Sequence, residues 1–90
     1  MDPESIAIAA LSYIGADPDR LGRFLAATGI GPADLRHAAR EPLFLAGVIG
    51  HIASDETLLL AFAAEVGLEP SHIERARRAL AGPDWERDAP

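Results

Sequence analysis

The sequence predicts an all-α fold, and three observations predict it. Apolar residues recur at spacings of three and four, as in Ile6, Ala9, Ala10, Tyr13 and Ile14, which lines one face of a helix. Proline-headed steps at Asp17-Pro18, Gly31-Pro32, Glu41-Pro42 and Glu69-Pro70 punctuate the chain, and such steps mark helix starts. A shift of 38 residues lays Ile14, Asp17, Leu21, Phe24, Ala26, Gly29, Pro32, Ala38 and Arg40 on identical residues in the second half. The expected architecture is a six-helix bundle, orthogonal or stacked, of two similar three-helix units. The first unit spans about residues 4–40 and the second about 42–81, within a single domain of residues 1–81 and before a flexible tail at 82–90.

The first helix is expected from about Glu4 to Gly15. Asp17 suits the N-cap of the second because its carboxylate accepts free amide hydrogens of the first turn. Pro18 suits the next position, where its missing N–H has no partner to lose. Leu21, Phe24, Leu25 and Thr28 form that helix's buried stripe, with Arg20 and Arg23 beside it in solvent. Gly29 stops the helix, since glycine enters the left-handed conformation without steric penalty. A third, shorter helix follows from Gly31-Pro32 to about Arg40, turning Leu35 and Ala38 inward.

Pro42 opens the fourth helix, whose Phe44, Leu45, Val48, Ile49 and Ile52 give a wide apolar face. Gly47 and Gly50 lie within it, and close approach of another helix is the expected reason for them. Ser54-Asp55-Glu56 begins the fifth helix with a capping hydroxyl and two acids near the positive end of the helix dipole. Leu58, Leu59, Leu60, Phe62, Ala63 and Val66 cover nearly all its sides, which places it at the centre of the domain or at an oligomer interface. Gly67-Leu68-Glu69-Pro70 repeats the earlier stop and restart. Ser71 and Glu74 then fit a capping box on a sixth helix that buries Ile73, Ala76 and Leu80. Trp85, in the tail, either docks on the domain or stays exposed.

Composition narrows the function. The chain has no cysteine, which excludes disulfides and thiolate metal sites. Its 14 acidic residues against 8 basic ones give a net charge of −6, which argues against a nucleic-acid binder and against docking on an anionic membrane. All basic residues are arginine. Arginine grips carboxylates and phosphates bidentately, although GC-rich coding produces the same bias. The start Met1-Asp2-Pro3-Glu4 lacks the positive charge of a signal peptide. The longest unbroken apolar run, Leu58 to Ala64, is too short for a bilayer. A cytoplasmic location is expected.

The stretches Leu21-Gly22-Arg23-Phe24-Leu25, Thr28-Gly29, Asp34-Leu35-Arg36 and Leu60-Ala61-Phe62-Ala63 resemble a family of small proteobacterial helical proteins, a domain of unknown function. The likeness covers nearly the whole chain except the tail. It implies an all-helical fold and brings no activity, cofactor or site residues.

No catalytic, cofactor or metal constellation stands out. His51 and Asp55 are four apart, but two ligands fall short of the four of a structural zinc site. Ser71 and His72 are helix neighbours and point apart. No Walker-type glycine loop is present. The expected role is a non-enzymatic interaction or accessory module, partnered by another protein or by a second copy of the chain. The alternative is a helix–turn–helix DNA-binding regulator. Phe62-Ala63, Gly67-Leu68, Ile73 and Ala76 sit at spacings like those of that motif. Its second helix, 71–81, would bring Arg75, Arg77 and Arg78 to DNA, with Arg36 and Arg40 as the first half's equivalents. These five arginines are the candidate partner-binding residues.

Overall fold

The computed structural model describes residues 1–82. It contains α1 (Pro3–Gly15), α2 (Pro18–Thr28), a 3-10 turn (Pro32–Asp34) running into α3 (Leu35–Ala38), α4 (Pro42–Ala53), α5 (Glu56–Val66) and α6 (Pro70–Ala81). There is no strand among the described residues. Residues 83–90, with Trp85, lie outside them.

Local chemistry sets the boundaries. The Asp2 carboxylate accepts from Ser5 N at 2.7 Å, Asp17 from Asp19 N at 2.9 Å and Asp55 from Leu58 N at 3.2 Å. Each satisfies an amide that has no partner inside its helix. Gly29 and Gly67 end α2 and α5 at φ 73° and 70°, a conformation that costs residues with a Cβ about 1 kcal/mol or more. Their N–H groups donate back to Leu25 O and Ala63 O.

Two expected caps are built differently. The start of α6 lies at Pro70, so Glu69 is its N-cap and no side chain caps it. Proline's fixed φ and absent N–H suit that first position. Glu74 is thereby released from the expected capping box and its carboxylate pairs with arginines instead. At the α4–α5 corner the Ser54 hydroxyl donates to His51 O at 2.7 Å, leaving the cap to Asp55.

The core gathers on three helices. The most extensive packing is α4 against α6, then α1 against α6 and α4. Their buried side chains are Ile6, Ala7, Ala10 and Ile14 of α1, Leu45, Ala46, Val48, Ile49 and Ile52 of α4, and Ile73 and Ala76 of α6. Outside this triad, α2 packs on α1 and inserts Phe24, while α5 packs on α4 and inserts Phe62 and Ala63. No polar side chain is buried among the described residues.

The central helix is therefore α4 and not α5. Leu58, Leu59 and Val66 of α5 are only half-buried and Leu60 is 51% exposed. Of the two places expected for α5, the domain centre is taken by α4, which α6 and α1 cover. Close packing does not explain Gly47, which is exposed with nothing within 4 Å of an added Cβ. At Gly50 an added Cβ would meet Arg77 Cδ at 3.7 Å, an ordinary contact. Thr28 is exposed, and its hydroxyl donates to Phe24 O at 2.9 Å. The third segment is shorter than expected, one 3-10 turn and four α-helical residues, with Leu35 and Ala38 half-buried.

The two corners exchange ring contacts. Tyr13 of α1 packs on Phe62 of α5 with centroids 5.5 Å apart. His51 of α4 packs edge-on against Phe24 of α2 at 5.2 Å. Phe24 also meets Phe44 at 6.0 Å.

Candidate functional site

Arginines frame the site question, and the structure divides them. Arg36 lies in α3 and Arg40 in the turn after it, both exposed. Arg75, Arg77 and Arg78 lie on α6. The main contact of α3 is with the 3-10 turn it continues and not with α6, so the two groups stand on separately packed segments.

On α6 the arginines differ in surroundings. Arg77 donates from Nε to both Glu74 oxygens at 3.0 and 3.1 Å, and from Nη2 to Glu74 Oε1. Arg78 Nε stands 3.6 Å from the same oxygen. The Arg77 hydrogen bonds, with the positive charges of Arg77 and Arg78, hold the Glu74 carboxyl below its ordinary pKa. Arg75 points elsewhere, into a surface groove of about 460 Å³ where α6 crosses the start of α1. Met1, Pro3 and Ile6 line one side of the groove, and Leu68, Ala76 and Ala79 the other. The exposed His72 and Arg75 supply its polar lining. Small side chains at Ala76 and Ala79 leave the concavity open. Its volume falls in the range of ligand and peptide sites.

The groove was not legible in the sequence. It forms where α6 lies across α1, more than sixty residues away in the chain, and no local pattern reports that crossing. Arg20, expected in solvent, is not fully exposed. It is half-buried, its guanidinium carbon 4.1 Å from the centre of the Tyr13 ring. The only signal available was its i,i+3 spacing from Asp17, whose carboxylate lies 3.9 Å away.

His37 and His72 are exposed and on different segments. Among the described residues no three His, Cys, Asp or Glu side chains gather as a metal site would need. No helix there is long and apolar enough to cross a membrane; α4 and α5, apolar enough together, meet at 111°.

These features define a small all-α domain with an amphipathic surface groove and a last helix that carries three arginines and one glutamate. More particularly, residues 1–83 match the family described as "Protein of unknown function (DUF3572)", and the chain belongs to it. No curated protein and no solved structure matches the chain.

Proposed function

We propose that this domain is a non-enzymatic, cytoplasmic interaction module that receives a segment of a partner protein in the groove between α1 and α6. The observation that carries the reading is the make-up of that groove. Pro3, Ile6, Leu68, Ala76 and Ala79 offer an apolar bed, and His72 and Arg75 flank it with basic groups. That combination suits a segment with an apolar face and an acidic edge, because burial supplies affinity and charge sets orientation. An Ala79→Trp variant fills the bed and an Arg75→Glu variant reverses the flanking charge. Both positions are exposed, so the fold should survive. Affinity capture from native lysate should recover one partner with the wild-type chain and with Arg23→Gln, and lose it with both groove variants. Equal capture by all four proteins would refute the reading. A captured second copy of the same chain would make the partner a homodimer.

The proposal extends to the architecture: two copies of one helical unit. It is supported by coincident boundaries and by the exchanged rings. The 38-residue offset carries α2 (Pro18–Thr28) onto α5 (Glu56–Val66), Gly29 onto Gly67, and the contact of Tyr13 with Phe62 onto that of His51 with Phe24. A contact between i and j matched by one between their counterparts is the signature of two-fold relation. The third segments depart from it, since α6 packs broadly on α4 and α1 whereas the main contact of α3 is the 3-10 turn it continues.

The alternative, a helix–turn–helix regulator laying α6 in the major groove, draws on the left-handed Gly67 between α5 and α6 and on exposed Arg75 and Arg78. Glu74 on the same helix and the charge of −6 count against it.

A further inference from the structure

The α1–α2 corner and the α4–α5 corner meet around a second, more enclosed cleft of about 210 Å³. Its apolar lining is Ile14 and Leu58, and its polar lining includes Arg20, Arg23, His51 and Asp55. Arg20 and Arg23 stand one turn apart on one face of α2. The Tyr13 ring holds the Arg20 guanidinium from one side at 4.1 Å. Phe24 holds the His51 ring edge-on. The Arg20 guanidinium and the His51 imidazole are thus positioned by packing, which lowers the entropy lost on gripping a ligand.

Their own acceptors are few. Asp17 Oδ2 is 3.9 Å from Arg20 Nη1, within reach of charge but beyond hydrogen-bond length. Arg20 Nε is buried and has no hydrogen-bond partner, and a buried donor without an acceptor calls for an explanation. Asp55 commits Oδ1 to its cap on Leu58 N. The lining therefore has two guanidinium groups against one carboxylate.

The 38-residue offset sharpens the point. It pairs Arg23 with Ala61, His51 with Tyr13, and Ser54 with Ala16. Both corners keep their capping aspartates, Asp17 and Asp55, and their buried isoleucines, Ile14 and Ile52. Arg23 from one corner and His51 and Ser54 from the other thus bring to this cleft polar groups that their counterparts, Ala61, Tyr13 and Ala16, do not repeat.

We propose that this cleft binds a small oxyanion, phosphate or a short-chain carboxylate, between Arg20, Arg23 and His51. Bidentate guanidinium geometry fits either oxyanion. The cleft, about 210 Å³, has room for phosphate or a short acid.

Titrating the full chain with sodium phosphate, and separately with sodium propionate, tests this by amide NMR against sodium chloride at matched ionic strength. Saturable shifts at Arg23, His51 and Ser54 are expected. Arg23→Gln, at an exposed position, should weaken binding about tenfold, the loss of one charge-assisted hydrogen bond. Arg20→Lys, which keeps the charge and removes the fork, should weaken it too. Arg75→Gln, in the other groove, should leave it unchanged, so the outcome is independent of the partner reading. Response to phosphate alone or propionate alone assigns the ligand class, and response to both assigns a general oxyanion site. Shifts no larger than chloride's with either salt, or full affinity in Arg23→Gln, would overturn the proposal.

Discussion

Truncating the two exchanged phenylalanines probes the fold where its halves meet. Phe24 and Phe62 are both 0% exposed. Phe→Ala in such a site removes the burial energy of the ring and leaves a partly collapsed cavity, together about 3–5 kcal/mol. Phe24 meets two rings, Phe44 and His51, whereas Phe62 meets Tyr13. An aromatic pair contributes about 0.5–1.5 kcal/mol beyond burial, so Phe24→Ala should be the costlier by roughly 1 kcal/mol. At about 4 °C or more per kcal/mol for a domain of this size, each variant should melt at least ~12 °C below wild type. A 90-residue chain has a total stability of roughly 5–13 kcal/mol, so the double variant should be largely unfolded at 25 °C. Circular dichroism followed against urea and temperature reads all three proteins. A loss under about 1 kcal/mol for either single variant would refute the claim that both rings are core anchors.

Glycine substitutions should split by sign. Gly67→Ala forces a Cβ into the left-handed region and should cost about 1 kcal/mol, whereas Gly47→Ala, in open space within α4, should stabilise by about 0.5–1 kcal/mol; urea midpoints compare them. Glu74 has a lowered folded pKa through its Arg77 hydrogen bonds. Its contribution is therefore complete above the ordinary value of 4.5 and is lost as pH falls through the folded value. At 36% side-chain exposure it should stay below about 1 kcal/mol, and Glu74→Gln should flatten that part of the acid limb in pH-dependent urea melts. Asp55→Ala removes the cap on Leu58 N and should cost about 1 kcal/mol, read by the same melts.

Helix existence was legible because its causes are local. Asp17, Asp55, Gly29, Gly67 and the N-terminal prolines act within one turn of themselves, and the elements begin and end where they stand. Burial was legible where one face alone is apolar, as at Phe24 of α2 and Ile73 and Ala76 of α6. It failed where a helix is apolar all round. Nothing in the sequence of α5 says that α6 will cover α4 and leave Leu60 in solvent. The placing of α6 also creates the groove at Arg75, and the cleft at Arg20 depends on another non-local meeting, that of α1 and α2 with α4 and α5. The five arginines were identifiable as candidates, but their sorting was not: Glu74 was read as a cap, and only the start of α6 at Pro70 frees it for Arg77.

The central claim is that the α1–α2 and α4–α5 corners meet through the rings of Tyr13 on Phe62 and His51 on Phe24. Nuclear Overhauser spectra of the full chain, with aromatic side chains labelled, measure this directly. Cross-peaks should join Tyr13 to Phe62 and His51 to Phe24, with neither ring of one pair reaching the other pair's partner across its own helix hairpin. Tyr13 contacting Phe24, or His51 contacting Phe62, in place of those cross-peaks would contradict the architecture.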